Sequence, residues 1–290
     1  MLILAVALSV LIGVSLGLLG GGGSILTLPI LRYVLDMEAH QAIAVSLLVV
    51  GTTSTFAVIP HALKGRVRWR TGVIFGAAGM VGAYGAGRLA KFIPSGALLA
   101  LFGVMMLVTA VAMMRGRKAP AGAAEAPREL PVGKVLGEGL VVGGVTGLVG
   151  AGGGFLVVPA LVLLGGLPME VAVGTSLVVI SMKSFAGFAG YLKSTPIDWT
   201  TAGMVAVAAV LGSFVGSALA GRVPPEKLRK GFAWFVVSMA FFILGQELPR
   251  ALGRPVSILM ALLGMVIGTG LVAAVAAAVA SARRPATSNA

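Results

Sequence analysis

The sequence predicts an all-α polytopic membrane protein built from two pseudo-symmetric copies of one helical unit. A mean hydropathy of +1.04, with 58% apolar and 11% charged residues, is far from soluble composition, in which charged residues run at about 25%. Apolar runs of roughly 20 residues, the length that crosses a bilayer, recur from end to end. The segment Gly17-Leu-Leu-Gly-Gly-Gly-Gly-Ser-Ile-Leu-Thr-Leu-Pro29 returns as Gly147-Leu-Val-Gly-Ala-Gly-Gly-Gly-Phe-Leu-Val-Val-Pro159. The same 130-residue shift carries Ala42 onto Ala172, Ser46 onto Ser176, Trp69 onto Trp199, Gly82 onto Gly212 and Pro94 onto Pro224. Such self-similarity marks a duplicated structural unit.

Leu2 to Leu19 is apolar but lacks the basic flank of a signal peptide, and its counterpart lies inside the chain, so it reads as a permanent span. The glycine run Gly20 to Gly23 then breaks it. Ile25 to Leu35, with Pro29 inside, rises only about 16 Å at 1.5 Å per residue and reads as a half-helix beginning at the break. Spans are expected at Ala42 to Pro60, Thr71 to Gly87 and Gly96 to Met114, with the basic loop Lys64 to Arg70 after the first of them. A Pro/Ala/Gly-rich polar stretch, 115–133, reads as a cytoplasmic linker. The second copy gives spans at Val135 to Gly150, Phe155 to Leu164, Val171 to Leu192, Trp199 to Ala220 and Phe232 to Gln246. The two repeats thus occupy 1–114 and 134–246. A further helix is expected within 247–280, its apolar part from Val256 to Ala280, and 281–290 is a polar tail.

Composition also excludes function classes. The net charge of +13 would suit nucleic acid, but the Lys and Arg residues sit in short loops between spans, where they set topology; no nucleic-acid partner is expected. Without Cys, disulfides, thiolate catalysis and Cys-held metals are ruled out. Two His and nine acidic residues offer no metal cage, and no nucleophile–base pair is visible, so neither enzyme nor cofactor is implied. The glycines are not a nucleotide loop, because no GxxxxGK[ST] follows a strand. Basic residues segregate best if the chain turns back at each glycine break. The loops near Lys64, Arg115, Arg222 to Lys230 and the C-terminus then share one side, which favours an inverted second copy with the N-terminus outside and the C-terminus inside. Inverted repeats with broken helices are a secondary-transporter architecture.

The glycine breaks are the first candidate site. Consecutive glycines leave backbone N–H groups unshielded, and a helix starting beyond them aims orphan donors and a positive dipole end into the break. That arrangement suits a small oxyanion and singles out Gly20, Gly21, Gly22, Gly23 and Ser24, with Gly150, Gly152, Gly153 and Gly154 as counterparts. The competing reading is close helix packing through small residues. Lys183 is the second candidate, since an ammonium in mid-span is costly unless paired or wet. No acid shares its span; a bound anion, Glu247 or a helix C-terminus could pair with it. Its counterpart is Thr53. Ser46 and Ser176 could donate to an oxyanion or merely bond their own backbone, and Thr52, Thr53 and Ser184 follow about two turns on. His61 reads as interfacial, Trp69 and Trp199 as interfacial anchors. The acidic residues all read as lying in or near loops, which leaves no buried carboxylate as a proton relay.

These residues resemble the sulfite exporter TauE/SafE family of membrane permeases. The likeness rests on the duplicated GLxGxGG-[SG]-[IF]-L-x-[LV]-P segments, on A-[IV]-[AG]-[VT]-S-L after each, and on the basic loop ending near Trp69; it spans Leu11 to Gly245. The resemblance implies transport of small sulfur-containing anions, such as sulfite, sulfoacetate or thiosulfate, across the cytoplasmic membrane. The expected partners are that small anion, the lipid bilayer and a coupling proton or other ion, with no cofactor. One half would rock against the other around a central site. A passive anion channel and a non-transporting scaffold or assembly protein are the alternatives. Ser24 against Gly154, and Lys183 against Thr53, break the symmetry of any such site.

Overall fold

The computed structural model describes residues 2–19, 24–115, 132–149, 154–219, 225–251 and 262–270; among them helix is the only regular structure. The first copy forms α1 (Leu2–Leu19), α2 (Ser24–Pro29), α3 (Ala39–Leu63), α4 (Trp69–Leu89) and α5 (Ser95–Arg115). The second forms α6 (Val132–Val149), α7 (Gly154–Pro159), α8 (Met169–Tyr191), α9 (Trp199–Leu219) and α10 (Pro225–Ala251). Each helix of the second copy begins 130 residues after its counterpart, and 262–270 is helical beyond the repeat. Four helices, Ala39–Leu63, Trp69–Phe92, Met169–Tyr191 and Trp199–Leu219, are long and apolar enough to cross a membrane. Of the expected linker, 116–131 lies outside the described residues, as does the polar tail, while Val132 and Gly133, expected to be linker, begin α6.

Local chemistry sets the ends and breaks of these helices. The Glu38 carboxylate accepts the His40 and Gln41 amides at 2.9 and 3.2 Å, which caps α3. Asp198 does the same for α9 through Thr200 and Thr201. The Thr201 hydroxyl, at 2.6 Å, and these amides hold the Asp198 carboxyl below its ordinary range. Pro29 and Pro159 bring no amide hydrogen to the ladder. Directly after them the coil widens into π turns, Ile30–Val34 and Ala160–Leu164. The turns close through Leu35 N–H to Ile30 O at 3.2 Å and Gly165 N–H to Ala160 O at 3.1 Å. Each copy then reverses through a left-handed residue at the same repeat position, Asp36 at φ +52° and Gly166 at φ +61°.

The extensive helix pairs join opposite copies: α1 with α9, α4 with α6, α4 with α8, α3 with α9, α3 with α8, and α5 with α10. Glycine makes the closest of these possible. A Cβ on Gly13 or Gly17 would run into the α9 backbone at Ala209 or Ser213. Their counterparts Gly143 and Gly147 meet α4 at Gly79 and Ala83, which are the counterparts of Ala209 and Ser213. Gly212 meets Val10, and Gly82 meets Leu140, by the same rule. Packing is therefore repeated residue for residue when the copies are exchanged. These are small-residue interfaces of the membrane type, in which backbones touch and dispersion replaces the hydrophobic drive.

The same contacts give helix directions. Thr55 meets Ser181 while Gly51 meets Ser184 and Leu47 meets Gly187, so α3 and α8 are antiparallel. Gly72, Gly76 and Gly79 meet Thr175, Met182 and Lys183 in rising order, so α4 runs with α8. Gly17 touches His61 near the end of α3 and Ser213 late in α9, while the Trp199 ring at the start of α9 meets Phe188 late in α8. Hence α9 runs with α3, and the counterparts α4 and α9 point in opposite directions. Large apolar side chains face outward, with Leu63 83%, Val81 67% and Leu211 63% exposed. Polar side chains lie inside, including Ser46, Thr53, His61, Lys183, Gln246 and Glu247.

Three sequence expectations need correction. α10 starts at Pro225, not Phe232, and runs on to Ala251; Pro suits a first helical position, so the charged turn before the apolar run is helical as well. Glu247 therefore belongs to a helix interior and is 4% exposed, not a loop residue. His61 is 2% exposed, not interfacial, because the basic loop folds over it: Arg66 N–H bonds His61 O, and Arg68 N–H reaches Thr175 Oγ1 at 3.0 Å.

Candidate functional site

Lys183 sits on α8, which packs directly against α3 and α4. It is 1% exposed, and its Nζ donates to Thr146 Oγ1 on α6 at 2.9 Å. The stem reaches α6 by crossing α4 at Gly79, where an added Cβ would lie 3.6 Å from Lys183 Cβ. Thr146 accepts from the amine and donates onward to Val142 O at 2.7 Å. Among the described residues no carboxylate forms an ion pair with Lys183. Its pseudo-symmetric surroundings are inert: Thr53 replaces the lysine, Ala209 replaces Gly79, and Leu16 replaces Thr146. The polar centre thus exists in one copy only.

α3 and α8 carry many buried hydroxyls, some of them where the two helices meet. Thr55 and Ser181 bond one another at 2.6 Å. Thr53, Ser54 and Ser184 are fully buried with no protein partner for their hydroxyls, and Ser46 is alike. Ser176 instead donates to Val173 O at 2.7 Å. The seam does not bring Ser46 and Ser176 together: counted from the Gly51–Ser184 contact at 1.5 Å per residue, they stand about 20 Å apart along the helix axes. Lys183 meets neither Ser46, Thr53 nor Ser176 in a hydrogen bond. Ser24 and Gly154 are buried and open α2 and α7, the two half-helices that touch one another. Gly20, Gly21, Gly22, Gly23, Gly150, Gly152 and Gly153 lie outside the described residues.

Three groups take places in the structure that the sequence reading did not assign to them. His61 Nε2 lies 3.2 Å from Gly17 O, and Tyr191, its counterpart, donates to Leu148 O at 2.7 Å. Both tie the last turn of a copy's first helix, just before the glycine break, to the end of its long third helix. Their shared repeat position was the available signal. Glu247 accepts from the Tyr33 hydroxyl at 2.8 Å; hydropathy ended its span one residue too early to reveal it. A groove of about 370 Å³ between α10 and 262–270 is lined by Trp234, Ser238, Met265, Val266, Thr269 and Gly270, and it contains none of the expected site residues. Among the described residues no acidic or His cluster could hold a metal.

Known proteins resemble this chain over nearly its whole length. The model of the family described as sulfite exporter TauE/SafE matches residues 5–243. A protein of Xylella fastidiosa (strain 9a5c) named probable membrane transporter protein is 34% identical over 247 residues, covering 84% of this chain and 95% of that one. Probable membrane transporter protein YunE of Bacillus subtilis (strain 168) is 29% identical over 275 residues, covering 85% and 96%. No solved structure matches the chain.

Proposed function

Since the chain belongs to the sulfite exporter TauE/SafE family of membrane transporters, we propose that it is a secondary transporter of small sulfur-containing anions, such as sulfite, sulfoacetate or thiosulfate. The observation that carries this reading is the buried Lys183 amine, held by one threonine and matched by no ion pair among the described residues. An ammonium at that depth is costly without a counter-charge, and a bound oxyanion supplies one. The hydroxyls of Thr53, Ser54 and Ser184 are spare donors on the same pair of long helices. The half-helix starts and the glycine runs before them would add backbone donors to the anion.

Alternating access then takes a form that the repeat alone does not suggest. The copies are interleaved, so copy one cannot rock against copy two as a body. The units with internal packing are α1/α3/α9 and α4/α6/α8, each drawing on both copies and meeting along α3–α8. Movement along that seam would expose the site to one side and then the other, with the N-terminus outside and the C-terminus inside.

Uptake of labelled sulfite by proteoliposomes tests the reading. Saturable uptake in wild type and at least a tenfold loss in Lys183→Met, about 1.4 kcal/mol of lost anion stabilisation, is the expected result, with the variant eluting as wild type on size exclusion. Flux that stays linear in concentration would favour the channel. Unchanged saturable uptake in the variant would remove Lys183 from the site.

A further inference from the structure

The turn between α3 and α4 is fastened to the start of α8. We infer that residues 64–68 form a strap that gates one end of the α3–α8 seam, the cytoplasmic end in the proposed topology, and that the strap is latched shut in this structure; this rests on the transporter reading above. The strap leaves α3 through Gly65, which takes φ +67° and has nothing within 4 Å of an added Cβ. It then lies across the first two turns of α8. The Arg66 amide donates to His61 O at 3.0 Å, and the Arg66 guanidinium pairs with the Glu170 carboxylate at 3.0 Å. Arg66 O comes so close to α8 that a Cβ on Gly174 would strike it. The Arg68 amide donates to Thr175 Oγ1 at 3.0 Å. These fastenings join the end of α3 to the start of α8.

Polar groups lie beneath the strap. His61 and Thr175 are buried there, at the ends of their helices. His61 Nε2 faces Gly17 O, in the last turn before the first glycine break, while its Nδ1 has no hydrogen-bond partner among the described residues. A buried polar atom left bare is costly, and lifting the strap would let water reach it. The fastenings suit a part that must release. The two side chains of the ion pair are 24% and 47% exposed, and a pair so placed shifts an equilibrium by about fivefold at most. The opposite end of the seam cannot form the same latch. There the α8–α9 connection is the counterpart of the strap, with Pro196 in place of Arg66 and His40 in place of Glu170. Val45 stands for Thr175 and offers no acceptor, and Ala44 stands for Gly174 with the Cβ that the close approach excludes.

Two measurements on the full-length protein test this. The chain contains no Cys, so His61→Cys places a single thiol beneath the strap, where a membrane-impermeant methanethiosulfonate applied to the inner face of vesicles reports its exposure. In that background, Glu170→Arg turns the attraction of the latch into repulsion and should speed labelling by about tenfold. Thr175→Val leaves the Arg68 amide without its acceptor and should speed it by about fivefold. Restoring the pair with its signs exchanged, Arg66→Glu with Glu170→Arg, should return labelling to the slow rate, which a misfolded variant would not do. In the second arm, Arg66→Cys/Glu170→Cys is joined by a bifunctional methanethiosulfonate. The cross-link should abolish saturable sulfite uptake by proteoliposomes, and reduction should restore it. Labelling that ignores both Glu170→Arg and Thr175→Val, that stays fast in the exchanged pair, or that proceeds only from the outer face overturns the latch. Uptake that survives the cross-link overturns the gate. Absence of sulfite uptake by wild type would count against the transporter reading, while the labelling arm still decides whether the strap opens.

Discussion

At the scale of single residues, the interior is organised by polar side chains that fasten backbone. Tyr191 is the clearest case, a phenol 1% exposed that donates to the carbonyl of Leu148 in the last turn of α6. Tyr191→Phe leaves that carbonyl without its donor, at a cost of about 1–2 kcal/mol, and should lower the melting temperature of detergent-solubilised protein. An unchanged melting curve would show that the bond contributes nothing net. Lys183 was legible in the sequence as an isolated charge in an apolar span, but its partner was not. Thr146 lies 37 residues away on α6, and no spacing rule pairs positions on different helices. Glu247 was misread for a related reason: hydropathy averages a window, and the window closed at Gln246 while the helix continued to Ala251.

At the scale of elements, span positions followed closely from apolar run length. α3 and α4 extend the expected spans by two or three residues at each end, α8 begins two residues early and stops one short at Tyr191, and α9 begins at the expected Trp199. The π turns were not legible, although their cause was: Pro29 and Pro159 were noted, and what a proline does to the next turn depends on what the neighbours can satisfy. Which helices would pair was also hidden. Gly13, Gly82, Gly143 and Gly212 carry no sign of a partner in sequence, yet each fixes a contact with the other copy. Gly143→Val should therefore damage α4–α6 packing, because its Cβ would press on the Gly79 backbone, and overpacking of this kind costs about 1–3 kcal/mol or more. Gly133→Ala, at a position with nothing within reach of an added Cβ, serves as the control. The comparison is the yield of monodisperse protein; equal yields from the two variants would contradict the packing described.

At the scale of the molecule, the chain is one interleaved body although it is written as two successive copies. Fragments 1–115 and 132–290 each lack most of their helix partners, because α1, α3 and α4 find theirs in α6, α8 and α9. Expressed singly, each fragment should be degraded or aggregate. Expressed together, they should copurify and recover a substantial part of the intact protein's stability. A first fragment that is stable alone would contradict the interleaving.

The pairing rule has a further consequence. Every major contact is made between an element of one copy and an element of the other, while α3 and its counterpart α8, like α4 and its counterpart α9, point in opposite directions. A half-length chain could reproduce this set of contacts as a homodimer only if it inserted into the lipid in both orientations, in equal numbers. Joining the copies in one chain fixes the ratio at one to one. It also frees each position to diverge from its twin, and only in such a fused chain can a single lysine serve the whole assembly.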